Sequence, residues 1–195
     1  MFTISPCAAG CGKPAITGSN LCFAHQANQE QESRRIIDYI SQNPVIKDLN
    51  VTGMKFSGVD FSGHSFYGCN FRDTAFSGCV LSGMEAGMSF FDFSGFDDCD
   101  FSKADFQFLS FAGCVFNKCS FEDSELVHIN FEGASISETS FNNSNLYNSR
   151  FINAELTSST FVNCNLKRVY FVSARQKDIL FKASNTAEAI FETEE

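Results

Sequence analysis

A large apolar residue recurs at every fifth position from Phe56 to Phe171 without an insertion or a deletion. Of these 24 positions, 17 hold Phe, five hold Leu, one holds Ile and one, Ala86, holds Ala. A second column, two residues earlier in each unit, holds mostly Ala, Ser, Thr, Cys or Val. A period of five matches neither the 3.6 residues per turn of an α-helix nor the two-residue period of a β-strand. This repeat restricts the fold more than any other feature of the chain.

The period of five is explained by a solenoid with short sides. Each unit forms an extended segment that ends in a tight turn, and both the large and the small column point inward. Four units close a square coil, so residues 20 apart stack at the strand spacing of about 4.8 Å. Glycines at the turn positions, such as Gly58 and Gly63, supply a permissive backbone. The repeat therefore predicts an all-β fold whose interior holds the Phe rings and small residues beside them.

The units resemble the A(D/N)LXX repeats of the pentapeptide-repeat family, with Phe or Leu at the centre, over about two thirds of the chain. The resemblance implies a right-handed quadrilateral parallel β-helix of about six coils, and the residues before it predict a small N-terminal zinc-binding and helical cap. We expect residues 1–45 to form the zinc knuckle and capping helix, 46–182 the β-helix, and 183–195 a C-terminal cap or tail. The unit at Ala86 is expected to bulge, and Gln176 and Thr186 predict that the coils lose definition after Phe171.

The cysteines fall into two groups. Six of the nine occupy the small inward column, where we expect free thiols that behave as small hydrophobic groups: Cys69, Cys79, Cys99, Cys114, Cys119 and Cys164. The other three precede the repeat together with a histidine, in the spacing Cys-x3-Cys-x10-Cys-x2-His. That set predicts a structural Zn²⁺ site, because three thiolates and an imidazole complete a tetrahedron: Cys7, Cys11, Cys22 and His25.

The segment that carries these ligands resembles small treble-clef-like zinc knuckles. The alternative interpretation is a disulfide pair or cysteines without a role. Residues 26–42 predict a helix with Ile36, Ile37 and Ile40 on one face, ended by Asn43 and Pro44. Solenoids need caps over their open ends, so we interpret residues 1–45 as a cap. A separate module that recognises protein or nucleic acid is the other interpretation.

Acidic residues are concentrated on the repeat. Residues 56–165 carry 14 Asp or Glu against four Lys or Arg, and the whole chain has a net charge of −9. Direct binding to nucleic acid is therefore not expected, because that binding depends on basic side chains. A candidate surface for a protein partner comprises Glu85, Asp97, Asp98, Asp100, Asp105, Glu122, Asp123 and Glu125. The simpler interpretation is a solvated face that keeps the solenoid soluble.

A subset of the pentapeptide-repeat family protects DNA gyrase and resembles B-DNA in width and charge. The Phe-rich coil and the negative charge of this chain are similar to that subset. The chain departs from it by lacking the loop insertions that interrupt the resistance proteins and by adding the Cys/His segment. A DNA mimic that modulates gyrase or another type II topoisomerase is therefore the alternative function.

An apolar patch is predicted at outward positions near one corner of adjacent coils, formed by Met88, Phe90, Phe93 and Phe108. Exposed Phe clusters usually mark a surface for a partner, here another protein or a second copy of the chain. Alternatively, the irregular unit at Ala86 folds these side chains inward, or the N-terminal helix covers them.

We found no nucleophile elbow, P-loop or dinucleotide motif, so we expect a non-enzymatic interaction scaffold. Of the three histidines, His25 is assigned to zinc, His64 to the core and His128 to the solvent. The chain has neither a secretory leader nor a run of 18 apolar residues, which favours a cytoplasmic location without membrane contact.

Overall fold

The computed structural model describes residues 5–192, in which a small N-terminal module is followed by coils with four sides each. The module contains a 3₁₀ turn at Phe23–His25 and helix α1 at Gln29–Gln42, and a second 3₁₀ turn lies at Thr186–Glu188. The strands are β1 Val45–Lys47, β2 Lys55–Ser57, β3 Ser65–Tyr67, β4 Ala75–Ser77, β5 Glu85–Gly87, β6 Gly95–Asp97, β7 Asp105–Gln107, β8 Val115–Asn117, β9 Glu125–Val127, β10 Ser135–Ser137, β11 Glu155–Thr157 and β12 Arg175–Lys177.

Equivalent sides of successive coils stack to form the four faces of the solenoid, which are numbered here in the order in which the chain crosses them. The first face is the parallel sheet β1-β3-β5-β7-β9, and the third is the parallel sheet β2-β4-β6-β8-β10-β11-β12. On the second and fourth faces, successive coils are joined by single parallel bridges. Asn70 pairs with Phe90 on the second face, and Val80 pairs with Asp100 on the fourth. All of these pairings join residues 20 apart in the sequence. The predicted quadrilateral parallel β-helix is therefore confirmed.

The interior consists of stacked aromatic rings. Phe71 and Phe91 stack with centroids 4.6 Å apart and an interplanar angle of 1°. Neighbouring columns meet edge-on, as between Phe111 and Phe116 at 70°, which is a favourable arrangement for aromatic pairs. Each buried ring contributes about 1.5–3 kcal/mol relative to exposure. The repeated stack therefore replaces a conventional globular core.

The small inward column connects successive coils by hydrogen bonds. The Ser94 hydroxyl donates to the carbonyl of Phe71 at 2.7 Å and accepts from the backbone N–H of Thr74 at 3.0 Å. Ser144 repeats this arrangement two and a half coils later, donating to the carbonyl of Phe121 and accepting from the N–H of Ser124. A buried hydroxyl with both partners avoids the cost of an unsatisfied polar group. Ser and Thr therefore fit the small inward column as well as Ala does.

The N-terminal end of the tube is covered by α1. Asn28 caps this helix by accepting a hydrogen bond from the Gln31 N–H at 3.0 Å, so α1 begins three residues later than predicted. Ile36 and Ile40 are buried and belong to the same core as Ile46 of the first coil. The amphipathic face of α1 thus shields the first layer of the interior.

Two expectations about irregular coils are wrong. The unit at Ala86 does not bulge, because β5 pairs in regular register with both β3 and β7. The coils also continue beyond Phe171, since β12 pairs with β11 and Tyr170 bridges Ile190. Backbone pairing does not require an apolar central residue, so the coil at Gln176 forms with that side chain exposed. The solenoid therefore has about seven turns instead of six.

Candidate metal centre and interaction surfaces

The four predicted metal ligands lie together in the N-terminal module. Cys7 Sγ is 3.5 Å from His25 Nδ1, Cys22 Sγ is 3.4 Å from the same nitrogen, and Cys11 Sγ is 3.7 Å from Cys22 Sγ. All four ligand atoms lie within 4.8 Å of one another. Zn–S bonds of about 2.3 Å and Zn–N bonds of about 2.0 Å place the ligand atoms of a tetrahedral site about 3.5–3.8 Å apart. The donor set and its spacing fit Zn²⁺.

Local backbone structure explains why these side chains meet. Pro6 and Pro14 form an antiparallel bridge, and the Cys7 N–H donates to the carbonyl of Lys13 at 3.0 Å. This closes a knuckle that turns at Gly10, where φ is +72°. The second pair of ligands flanks the 3₁₀ turn that begins at Phe23. One tight turn thus presents Cys7 and Cys11 toward another that carries Cys22 and His25.

Hydrogen bonding and burial shift the pKa values of cysteines in both groups. The Cys22 backbone N–H donates to Cys7 Sγ at 3.3 Å and, as the largest effect, lowers the pKa of Cys7 to about 6. In the inward column, burial instead raises the pKa of Cys69 to about 11 and also raises the pKa of Cys114. All nine cysteines are free, as predicted for the inward column. Burial also raises the pKa of Cys22, and the hydrogen bond with Cys99 lowers the pKa of Cys119. The N-terminal group is suited to binding a metal because its three thiols lie together with an imidazole.

The metal module is anchored to the first coil through Asn50. Its side-chain amide donates to the carbonyl of Ala15 at 2.5 Å, and its backbone N–H donates to the Thr17 hydroxyl at 2.7 Å. Thr17 in return donates its N–H to the Asn50 carbonyl at 2.9 Å. Ile16 and Phe23 join the continuous core of the solenoid. The four ligands therefore stand on a fixed support.

The eight predicted acidic residues form a band around three faces. Glu85, Asp105 and Glu125 stack on the first face. The others follow the third and fourth faces and the turns beside them. Six of the eight accept hydrogen bonds from neutral donors, as Asp97 does from the Asn117 amide at 2.6 Å. None of the eight forms an ion pair within residues 5–192.

The predicted apolar residues occupy two corners of the coil instead of one. Met88 and Phe108 lie 20 residues apart at the turn between the first and second faces and are 66% and 59% exposed. Phe93 is 69% exposed at the next turn, where its ring lies against Gly113. Phe90 is half-buried, with the Arg72 guanidinium 4.7 Å from its ring centroid. The N-terminal helix does not remove the other three from solvent.

Arg72 also belongs to a structural pair that the sequence analysis missed. Its Nε donates to Asp92 Oδ2 at 2.8 Å, and Asp92 is only 7% exposed. The second oxygen, Oδ1, is buried without a hydrogen-bond partner in the described part of the chain. The spacing of 20 residues between Arg72 and Asp92 is the signal that would have indicated their contact.

A family model described as a pentapeptide repeat region matches residues 49–126 and 114–191. The chain is a pentapeptide-repeat protein. Both matches begin after residue 48, so α1 and the Cys/His cluster of this pentapeptide-repeat protein precede the part that the family model covers. No curated protein matches the chain in sequence.

One solved structure, the first described below, supports the fold. QnrB1, a plasmid-mediated fluoroquinolone resistance protein, was solved in a trypsin-treated form that is 21% identical, with a TM-score of 0.58 over 74% of this chain and 78% of that one. A pentapeptide repeat protein from the Arabidopsis thaliana thylakoid lumen is 19% identical, with a TM-score of 0.39 over 65% and 70% of the two chains. HetL from Nostoc, involved in heterocyst differentiation regulation, is 13% identical, with a TM-score of 0.26 over 82% and 96%.

The histidines outside the metal cluster are placed differently from the expectation. His64 is half-buried, and its Nδ1 lies 3.0 Å from the carbonyl of Ser62. His128 is also half-buried, since its ring stacks on Phe108 at 4.8 Å and 7° and its Nδ1 lies 2.7 Å from the Asn148 amide. Within residues 5–192, no helix is long and apolar enough to cross a membrane.

Proposed function

We propose that this pentapeptide-repeat protein is a non-enzymatic scaffold that presents an acidic rod to a protein partner. The observation that carries the proposal is the band of eight carboxylates. Six of them accept hydrogen bonds from neutral donors, and none forms an ion pair within the described residues. Unpaired surface charge on a rigid support attracts and orients a partner of opposite charge. The partner surface we infer is therefore basic.

We also propose that Cys7, Cys11, Cys22 and His25 bind a structural Zn²⁺. The distances among the ligand atoms support this assignment. Four protein ligands leave no position for a substrate, which is typical of structural sites. The ion would stabilise the module that anchors to Asn50 and covers the first coil. Free thiols and thiolate ligands are typical of reducing compartments, so we propose a cytoplasmic location.

Affinity capture from the native host tests the scaffold proposal. The bait is compared with a variant in which Asp97→Asn, Asp100→Asn and Glu122→Gln neutralise three carboxylates on the third and fourth faces. We expect a set of basic proteins that the wild type retains at low salt and the variant loses. Capture of the same proteins in equal amounts by both baits would refute the role of this surface.

A gyrase modulator is the second candidate, and its charge density supports it. Residues 56–165 span about 26 Å of the solenoid axis, over which duplex DNA carries about 15 negative charges. The same residues carry 14 acidic and four basic side chains, a net charge of −10. A supercoiling assay with and without a fluoroquinolone tests this candidate. An unchanged reaction at stoichiometric protein would eliminate it.

A further inference from the structure

A groove of about 370 Å³ lies on the first face, where the repeat is weakest. Its floor is Gly87, which has no side chain, and the ring of Tyr67 from the preceding coil lies across it. A Cβ atom added to Gly87 would be 3.2 Å from Tyr67 Cδ1. The groove therefore depends on the glycine at this position, because larger outward residues would fill the space.

One wall of the groove is apolar and fixed in place. It consists of Met88 and Phe108, both mostly exposed at the same corner of successive coils. Phe108 stacks on the imidazole of His128, which in turn meets Tyr147 edge-on at 5.8 Å. Contacts with two further coils therefore hold the Phe108 ring, although 59% of the residue faces solvent.

The opposite wall is acidic. Glu85 and Asp105 line the groove, and Glu125 continues their column on the next coil. Glu85 Oε2 accepts from the Tyr67 hydroxyl at 3.2 Å, and Asp105 Oδ1 accepts from the Gln107 amide at 3.2 Å. These donors are neutral. Within the described residues the three stacked carboxylates have no cationic partner, and such like charges destabilise one another until a cation binds.

From this combination we infer that the groove binds an arginine side chain from the partner protein. The aliphatic stem of arginine packs on apolar surface, and its planar guanidinium stacks on an aromatic ring while it donates to carboxylates. Phe108 and the Asp105 carboxylate supply those two contacts from opposite walls. The carboxylates repel nucleic acid phosphates. In a second copy, the same acidic face would repel this one, so a basic segment of another protein is the favoured occupant.

This inference rests on the proposed scaffold function and is tested separately from it. The probe is N-acetyl-L-arginine methylamide, titrated into ¹⁵N-labelled protein, and its control is the uncharged analogue N-acetyl-L-citrulline methylamide. We expect the arginine probe to shift the amide signals of residues 85–88 and 105–108. The citrulline probe is expected to bind about fivefold more weakly, since it keeps the stem but loses the charge.

Two pairs of matched variants assign the contacts. Phe108→Asn removes the ring at a left-handed position that Asn tolerates well, and Phe93→Asn makes the same change at the neighbouring corner. Asp105→Asn and Asp73→Asn form the corresponding pair for the carboxylate, since Asp73 is exposed but lies outside both the acidic band and the groove. We expect Phe108→Asn and Asp105→Asn each to weaken arginine binding about fivefold, with the two controls unchanged.

Three results would overturn the inference: equal binding of both probes, equal loss in the target and control variants, or shifts outside the groove. A wild-type dimer in sedimentation that Phe108→Asn dissociates would also overturn it, by assigning the groove to a second copy. The capture experiment alters the third and fourth faces only. If the wild type does not bind the arginine probe while capture still distinguishes the two baits, the groove alone is refuted. If the wild type binds the probe but both baits capture the same proteins equally, the scaffold proposal alone is refuted.

Discussion

Replacing one ring in the middle of the aromatic stack tests how the solenoid is stabilised. Phe111 is fully buried and stacks between Phe91 and Phe131 at centroid distances of 4.9 and 5.4 Å. It also meets Phe116 edge-on at 5.5 Å. Phe111→Ala leaves a cavity that the rigid coils above and below have little room to fill. We expect the free energy of unfolding to fall by about 3–5 kcal/mol, the usual cost of removing a buried Phe.

Phe181 provides the matched control at the C-terminal end. Within residues 5–192 its ring has a stacked neighbour on one side only, Phe161 at 5.3 Å, and the residue is half-exposed. Water replaces part of the lost contact there, and the last coil can collapse. We therefore expect Phe181→Ala to cost about half as much, roughly 1.5–2.5 kcal/mol.

Urea unfolding followed by far-UV circular dichroism measures both costs. Hydrogen exchange adds a spatial criterion, because each coil of a solenoid contacts only its neighbours. Phe111→Ala should lower amide protection first in the coils directly before and after it. An equal or greater loss of stability in Phe181→Ala, or uniform loss of protection along the chain, would refute the stacking argument.

Three further predictions concern other contacts. Cys22→Ser should abolish Zn²⁺ binding and Cys164→Ser should leave it intact, as measured by metal analysis of freshly reduced protein; no zinc in the wild type would refute the site. Arg72→Met should destabilise by about 1–3 kcal/mol, since it leaves the Asp92 carboxylate without a partner. In a thermodynamic cycle, Arg72→Met/Asp92→Ser should recover part of that loss, and additive costs would contradict the pairing. Lys118→Gly should stabilise the protein by up to about 1 kcal/mol, because Lys118 has a φ of +53°; thermal denaturation that shows a loss would contradict this.

The interior could be predicted from sequence because a strict period of five determines which side chains face inward. Ala86 illustrates where that reasoning stopped. Alanine at a position that otherwise holds a large apolar residue predicted a bulge, but the backbone of this unit pairs regularly with both neighbouring coils. Gln176 misled in the same way, since the hydrogen bonds between coils do not depend on the central side chain. Backbone pairing tolerates a poor core residue whenever both adjacent coils hold the register.

Surface contacts were harder to predict because long side chains cross from one coil to the next. Phe90 counts as exposed from its position in the unit, yet Arg72 reaches over it from 18 residues earlier. His128 was likewise predicted to face the solvent, but its ring stacks on that of Phe108. The cysteine and histidine spacing predicted which side chains form the N-terminal cluster, because short separations along a tight turn leave few alternative arrangements.

The square cross-section has a consequence for how such a chain diversifies. A duplication of 20 residues adds one complete coil, and each downstream side chain stays on the same face of the solenoid. An insertion of five residues preserves the inner packing equally well but rotates everything downstream by a quarter turn. If the insertion lay between Met88 and Asp105, Phe108 would no longer stack next to Met88, and Asp105 would no longer stack next to Glu85. Insertions of five residues can therefore move the surface side chains around the solenoid in 90° steps while the packed interior is preserved.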